Sequence, residues 1–268
     1  MPRDVRLVDS ITQSGISPAT TVIAGSHGGI SSGRYAGRLG LSGVVFSDSG
    51  VGKDAAGIKA LWYLDELGLP AATVDYESAR IGDGVDTARN GSISHINETA
   101  GECGCAVGQH ALRCARIMHD ERIEPPEAAA GNETTCTTVS GGSVPVWTID
   151  SIGSITDEHE GTITVTGSHG ERLAGEFRSY IPTDVAGITL FDAGVGKDDA
   201  GIGRLRSMDE RDIPTAAVDV DSARIGESTS AWREGVFSHV NDTAASLGVS
   251  PRDGCPEFVE SVRAPKRR

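Results

Sequence analysis

The feature that most restricts this chain is that it is written twice. "SDSGVGKDAAGI" at 47–58 returns as "FDAGVGKDDAGI" at 191–202, and "VDYESARIGDG" at 74–84 returns as "VDVDSARIGES" at 218–228. "GSHG" at 25–28 and "SHINETA" at 94–100 have partners in "GSHG" at 167–170 and "SHVNDTA" at 238–244. The offset is 142 residues from His27 to His169, and 144 both from Lys53 to Lys197 and from His95 to His239. Order and spacing therefore hold apart from a two-residue insertion, and any fold for this chain must place one pattern of elements twice.

Within a copy, "TTVIAG", "GVVFSD" and "AATVDY" read as strands separated by helical stretches, with a last helix expected from about Ser94. Alternating β and α segments imply an α/β fold with a mostly parallel sheet. We therefore expect two tandem homologous α/β halves, residues 1–118 and 146–268, joined by a linker at 119–145 rich in Pro, Gly, Thr and acid. A pseudo-twofold relation is the simplest inheritance from a duplicated dimer. The helix after "GVGKD" supplies a control. Ile58/Ile202, Leu61/Leu205 and Leu64/Met208 stay apolar and mark the buried stripe, whereas Trp62 becomes Arg206 and Leu67 becomes Arg211.

The net charge of −14 repels phosphate backbones and anionic membranes, which argues against both as partners. No apolar run approaches the roughly 20 residues that cross a bilayer, and no leader-like apolar segment stands at the beginning. Five cysteines, an odd number at low density, fit a reduced cytoplasmic setting. A small-molecule partner is expected, and a homo-oligomer is compatible with the composition. Glycine is the outlier, 35 of 268 residues, which points to tight turns where backbone approaches a ligand or another element.

Polar residues that survive duplication need a reason, and in an α/β sheet ligands bind beyond the carboxyl ends of the strands. There the repeats place Ser26 and His27 (copies Ser168 and His169), Asp48 and Lys53 (Asp192 and Lys197), Ser78 and Arg80 (Ser222 and Arg224), and His95 and Asn97 (His239 and Asn241). Gly28, Gly50 and Gly52, with Gly170, Gly194 and Gly196, supply backbone N–H groups near a positive helix end. The spacing of "DSGVGKD" is not that of the phosphate-binding loop. Each residue also has a structural reading: Ser26 as a cap, Asp54 as a cap, Arg80 paired with Asp75 or Asp48, and Ser94 opening a capping box.

Nucleophile, bases, carboxylate and anion clamp together suit hydrolysis of an amide C–N bond in a small polar or anionic substrate. Ser78 would attack, Lys53 or His27 would take its proton, Arg80 would hold a carboxylate, and N–H groups around residues 50–52 would steady the oxyanion. One Lys, Ser and Arg per repeat resembles in kind the barbiturases and cyanuric acid hydrolases, which arrange three repeats around a cyclic amide; no stretch aligns and the local motifs differ. Two other classes compete: a lyase or isomerase moving a proton through His27 and Asp48, and a non-catalytic small-anion binder. No cofactor is expected, the exception being a divalent metal on His27, Asp48 and His95. The "CGC" at 103–105 with Cys114 is rejected as a zinc site, because its copy reads "LGV" and Phe258 and a fourth ligand is missing.

Overall fold

Apolar runs bounded by glycine become the buried strands of this α/β protein. The computed structural model describes residues 5–121, 136–140, 142–172 and 181–264. They fall into two compact units: Met1–Val51, Ala55–Glu133 and Gly196–Asp198 in the first, and Gly52–Asp54, Thr134–Val195 and Asp199–Arg268 in the second.

In the first unit β1 (Val5–Val8), β2 (Thr21–His27), β3 (Gly43–Ser47), β4 (Ala71–Val74) and β5 (Ile93–Ile96) form one sheet in sequential order. The first four are parallel and β5 runs antiparallel to β4. All seven residues of β2 are buried, as expected of a strand covered on both faces. Val22, Ala24, Val44 and Phe46 pack with Leu61 and Leu64, against α1 (Ile30–Arg38) and α2 (Lys59–Glu66). Ile23, Val45, Ala72 and Val74 face α3 (Gly84–Asn90) and α5 (Ala111–Asp120), while α4 (Glu98–Glu102) follows β5. Trp62 is 54% exposed on α2, on the side opposite Leu64.

The second unit has a six-stranded sheet built from β6 (Cys136–Ser140), β7 (Val146–Ile149), β8 (Ile163–His169), β9 (Gly187–Phe191), β10 (Thr215–Val218) and β11 (Phe237–Val240), again in sequential order. β7 to β10 are parallel, and the edge strands β6 and β11 are antiparallel to their neighbours. Among the described residues its α-helices are α6 (Arg204–Asp209), α7 (Ser228–Glu234), α8 (Asp242–Ser246) and α9 (Cys255–Arg263).

Two expectations change. The helix expected from Ser94 is strand β5, because Ile93 and Ile96 are β-branched and the ladder to β4 captures the segment. The helix begins only at Glu98, with Asn97 as its cap. Part of the expected linker is also ordered: Cys136–Ser140 extends the second sheet as β6, while residues 122–135 lie outside the described residues. Strictly sequential strand order has a consequence for function, too. A crevice made by reversal of strand order does not arise in either sheet.

Candidate functional site

Asp48, Ser78 and Arg80 follow the carboxyl ends of the parallel strands β3 and β4, and Ser26 and His27 are the last two residues of β2. His95, in contrast, lies within the antiparallel β5, which carries Asn97 to the amino end of β4; the copies repeat this in the second unit. Ser26, the penultimate residue of β2, accepts the Ile11 N–H at 2.9 Å; Ser168 accepts the Ile152 N–H at the same distance. Both fasten the segment that follows the preceding strand. His27 and His169 are buried, and their Nδ1 atoms accept the N–H groups of Gly29 (3.0 Å) and Glu171 (3.3 Å). Burial lowers the His27 pKa to about 4, so its ring is neutral at pH 7 with the proton on Nε2.

Gly28 and Gly170, expected to face a substrate, face backbone instead. A Cβ on Gly28 would lie 2.6 Å from the Gly57 carbonyl oxygen, and one on Gly170 would lie 2.5 Å from that of Gly201. Gly50 and Gly194 donate their N–H groups to Asp48 and Asp192, so neither is available to an oxyanion. The chain there winds left-handed: residues 49–52 have φ between 52° and 74°, and residues 193–196 between 49° and 74°. Val51 and Val195, β-branched, take that conformation at a cost of order 1–3 kcal/mol each.

Ser78 and Ser222, the expected nucleophiles, are hydrogen-bonded to main chain. Ser78 donates to the Asp75 carbonyl at 2.7 Å and accepts the Ser92 N–H at 3.0 Å. Ser222 donates to the Asp219 carbonyl at 2.7 Å and accepts the Val236 N–H at 2.9 Å. Each hydroxyl commits its proton to main chain and braces a turn. Asn97 and Asn241, expected to bind substrate, likewise hold main chain. Asn97 accepts from the Ala71 and Ala100 N–H groups and donates to the Leu69 carbonyl, all at 2.9 Å. Asn241 repeats this with Thr215, Ala244 and Ile213.

The expected cations are paired with carboxylates. In the first unit Lys197 Nζ lies 3.0 Å from Asp86, and Arg80 reaches Asp86 at 3.2 Å and Asp83 at 3.3 Å. Burial pushes the Asp86 carboxyl up, but the Arg80 N–H, Lys197 and Asn90 outweigh it and hold the pKa below the usual value. In the second unit Lys53 Nζ lies 2.9 Å from Glu234 and donates to the Ser222 carbonyl, while Arg224 meets Glu227, Asp54 and Glu234. The acid changes place between the halves. Asp86 with Asn90 on α3 corresponds to Ser230 with Glu234 on α7, one helical turn along. The pairing with lysine survives although the position of its carboxylate does not.

One arrangement links three side chains, although its serines also reach main chain, Ser238 at 3.3 Å from the Ala217 carbonyl and Ser94 at 3.3 Å from that of Thr73. Asp192 Oδ2 accepts the Ser238 hydroxyl at 2.7 Å, and Ser238 Oγ lies 3.1 Å from His239 Nδ1. In the first unit Ser94 hydrogen-bonds Asp48 and lies 3.1 Å from His95 Nδ1. Burial pushes the Asp48 and Asp192 carboxyls up from the ordinary value, opposed by three donated hydrogen bonds each. His95 and His239 are half-buried. These serines are not among the expected site residues; their signal in the sequence is a Ser-His pair in both copies, which also reads as a helix cap.

No family model, curated protein or solved structure matches this chain. Among the described residues no three of His, Cys, Asp and Glu come together to hold an ion. No helix among the described residues is long and apolar enough to cross a membrane. The cysteines are all free, and Cys103, Cys105 and Cys114 are buried, the last two in the core beneath α5.

Proposed function

We propose that this protein is a proton-transfer enzyme of the lyase or isomerase class, acting on a small polar substrate through His95 and His239. The Asp–Ser–His chain of hydrogen bonds, present twice, carries the reading. A serine has one proton to give. At 2.7 Å that proton belongs to Asp192, so the 3.1 Å contact is completed by the Nδ1–H of His239 donating to Ser238 Oγ. The neutral ring is thereby set as the Nδ1–H tautomer, which leaves the lone pair on Nε2 as a base. When Nε2 takes a proton, the serine passes the stabilising influence of the carboxylate to the imidazolium, which suits repeated acid–base exchange.

Amide hydrolysis through Ser78 and Ser222 has less support, because their hydroxyl protons are committed to main-chain carbonyls. A passive anion binder is also less favoured, since Lys53, Lys197, Arg80 and Arg224 already hold carboxylates. We infer further that the two units are homologous products of a tandem duplication, each carrying one copy of the relay.

Hydrogen–deuterium exchange tests this across a panel of small acids. The protein is incubated in D2O with 2-oxo acids, 2-hydroxy acids and amino acids, and loss of Cα–H signal is followed by proton NMR. Exchange of at least one compound is expected, falling at least about 100-fold in the His95→Ala/His239→Ala double variant. No exchange across the panel, or exchange unchanged in the double variant, refutes the reading.

A further inference from the structure

The second unit contains a buried arginine that the relay does not use. Arg204 opens α6, is 2% exposed, and is the largest fully buried side chain among the described residues. Its backbone N–H donates to the Gly170 carbonyl at 2.7 Å, which seats the residue just past the end of β8. Nη2 donates to the Glu171 carbonyl at 2.6 Å, but Nε and Nη1 are buried without a hydrogen-bond partner among the described residues. Three of the five guanidinium N–H groups are therefore unsatisfied. Burial lowers the Arg204 pKa to about 10, with Glu171 opposing and Arg211 and Arg172 adding to the fall, so the group is still charged at neutral pH.

A buried guanidinium with unsatisfied donors is expensive, and the duplicated fold does not require one at this position. The first half shows the alternative. Where the second half has Arg172, Arg204 and Arg211, the first has Ile30, Ala60 and Leu67. In that half α1 lies so close on α2 that a Cβ on Gly33 would stand 2.8 Å from Ala60 Cβ, leaving no space for an arginine. Three apolar positions of one half are thus basic in the other, in a chain whose net charge is −14. Arg211 is held against Asp184 and the carbonyls of Ile181 and Thr183, which leaves Arg204 as the cation with unsatisfied donors.

We propose that Arg204 is the floor of an oxyanion site in the second unit, taking a carboxylate or phosphate group of a small molecule on its unsatisfied N–H groups. The site is independent of the histidine relay and has no counterpart in the first unit. Ionised acceptors make the shorter and stronger hydrogen bonds with a guanidinium, and they compensate its charge as a neutral ligand cannot.

Titration calorimetry and thermal melts of the full chain test this with two probes, inorganic phosphate and succinate, against sodium chloride at matched ionic strength. Saturable binding and a raised Tm are expected for at least one probe. Phosphate alone identifies a phosphate-bearing ligand, succinate alone a carboxylate, and both together a general oxyanion site. Arg204→Met, which keeps length without charge, is expected to weaken binding at least tenfold. If that variant does not fold, Arg204→Lys, which keeps a charge but loses the planar fork, is expected to weaken it several-fold. Absence of an effect beyond chloride for both probes overturns the proposal, as does unchanged affinity in whichever variant folds.

Discussion

Acid should destabilise the first unit through His27, by an amount that can be worked out. Its ordinary pKa of 6.5 falls to about 4 in the folded state because burial penalises the imidazolium. A tenfold change in proton affinity is worth about 1.4 kcal/mol, so the full effect is about 3 kcal/mol. The sign follows from proton binding: between the two values the unfolded chain takes up a proton that the folded chain refuses. Stability is then complete above pH 6.5, falls as pH drops towards 4, and levels off below. From pH 7 to pH 5 the loss assigned to this one ring is about 2 kcal/mol. Other groups titrate in the same range, so the comparison is made with His27→Asn, whose side-chain oxygen can still accept the Gly29 N–H but does not titrate. Urea unfolding followed by circular dichroism at pH 7, 6 and 5 gives the difference in stability between the two proteins. The wild-type advantage should shrink by about 2 kcal/mol over that span. A constant difference, or an NMR titration placing the His27 ring near 6.5, would show that the ring is not held neutral by burial.

Two further substitutions test the division between fasteners and site. Asn97→Ala leaves the Ala71 and Ala100 N–H groups and the Leu69 carbonyl without their buried partner; we expect a loss of about 2–4 kcal/mol in urea unfolding. Asp86→Ser removes the acid between Lys197 and Arg80 and should lower stability by about 1–2 kcal/mol. Adding Asn90→Glu, which reproduces the Ser230 and Glu234 arrangement of the other half, should restore most of it. A double variant no better than the single one would mean that the two helices do not use interchangeable acids.

The strands are the most legible part of the fold. β2, β3 and β4 are apolar runs with glycine at or near their ends, and burial on both faces leaves that pattern little room to mean anything else. Helix α3 is hidden in "GDGVDTARNG", where two glycines frame only seven helical residues capped by Asp83. β5 imitates a helix start because a real cap, Asn97, stands three residues after a serine that resembles one. At the candidate site, the sequence repeat marks residue types but not their duties. Whether a repeated serine attacks a substrate or braces a turn depends on partners remote in sequence, such as Ile11 for Ser26 and Ser92 for Ser78. Ser94 and Ser238 escape a reading of the sequence for the same reason: the aspartates they serve lie 46 residues away.

The short strands that close each sheet also bear on how these molecules behave when crowded together. Among the described residues the outer strands β1 and β5 have four residues each, and β6 and β11 have five and four. Alternate residues turn their backbone groups outward, so each border offers roughly two residues' worth of unpaired N–H and C=O groups to a stranger. A growing stack of strands needs a longer template than that, and these borders are cut short of it. The apolar core strands, which would make sticky templates if they stood at a border, are kept in the middle of the order. Protection against indiscriminate self-assembly is thus built into the sequential layout of the sheets, ahead of any help from surface charge.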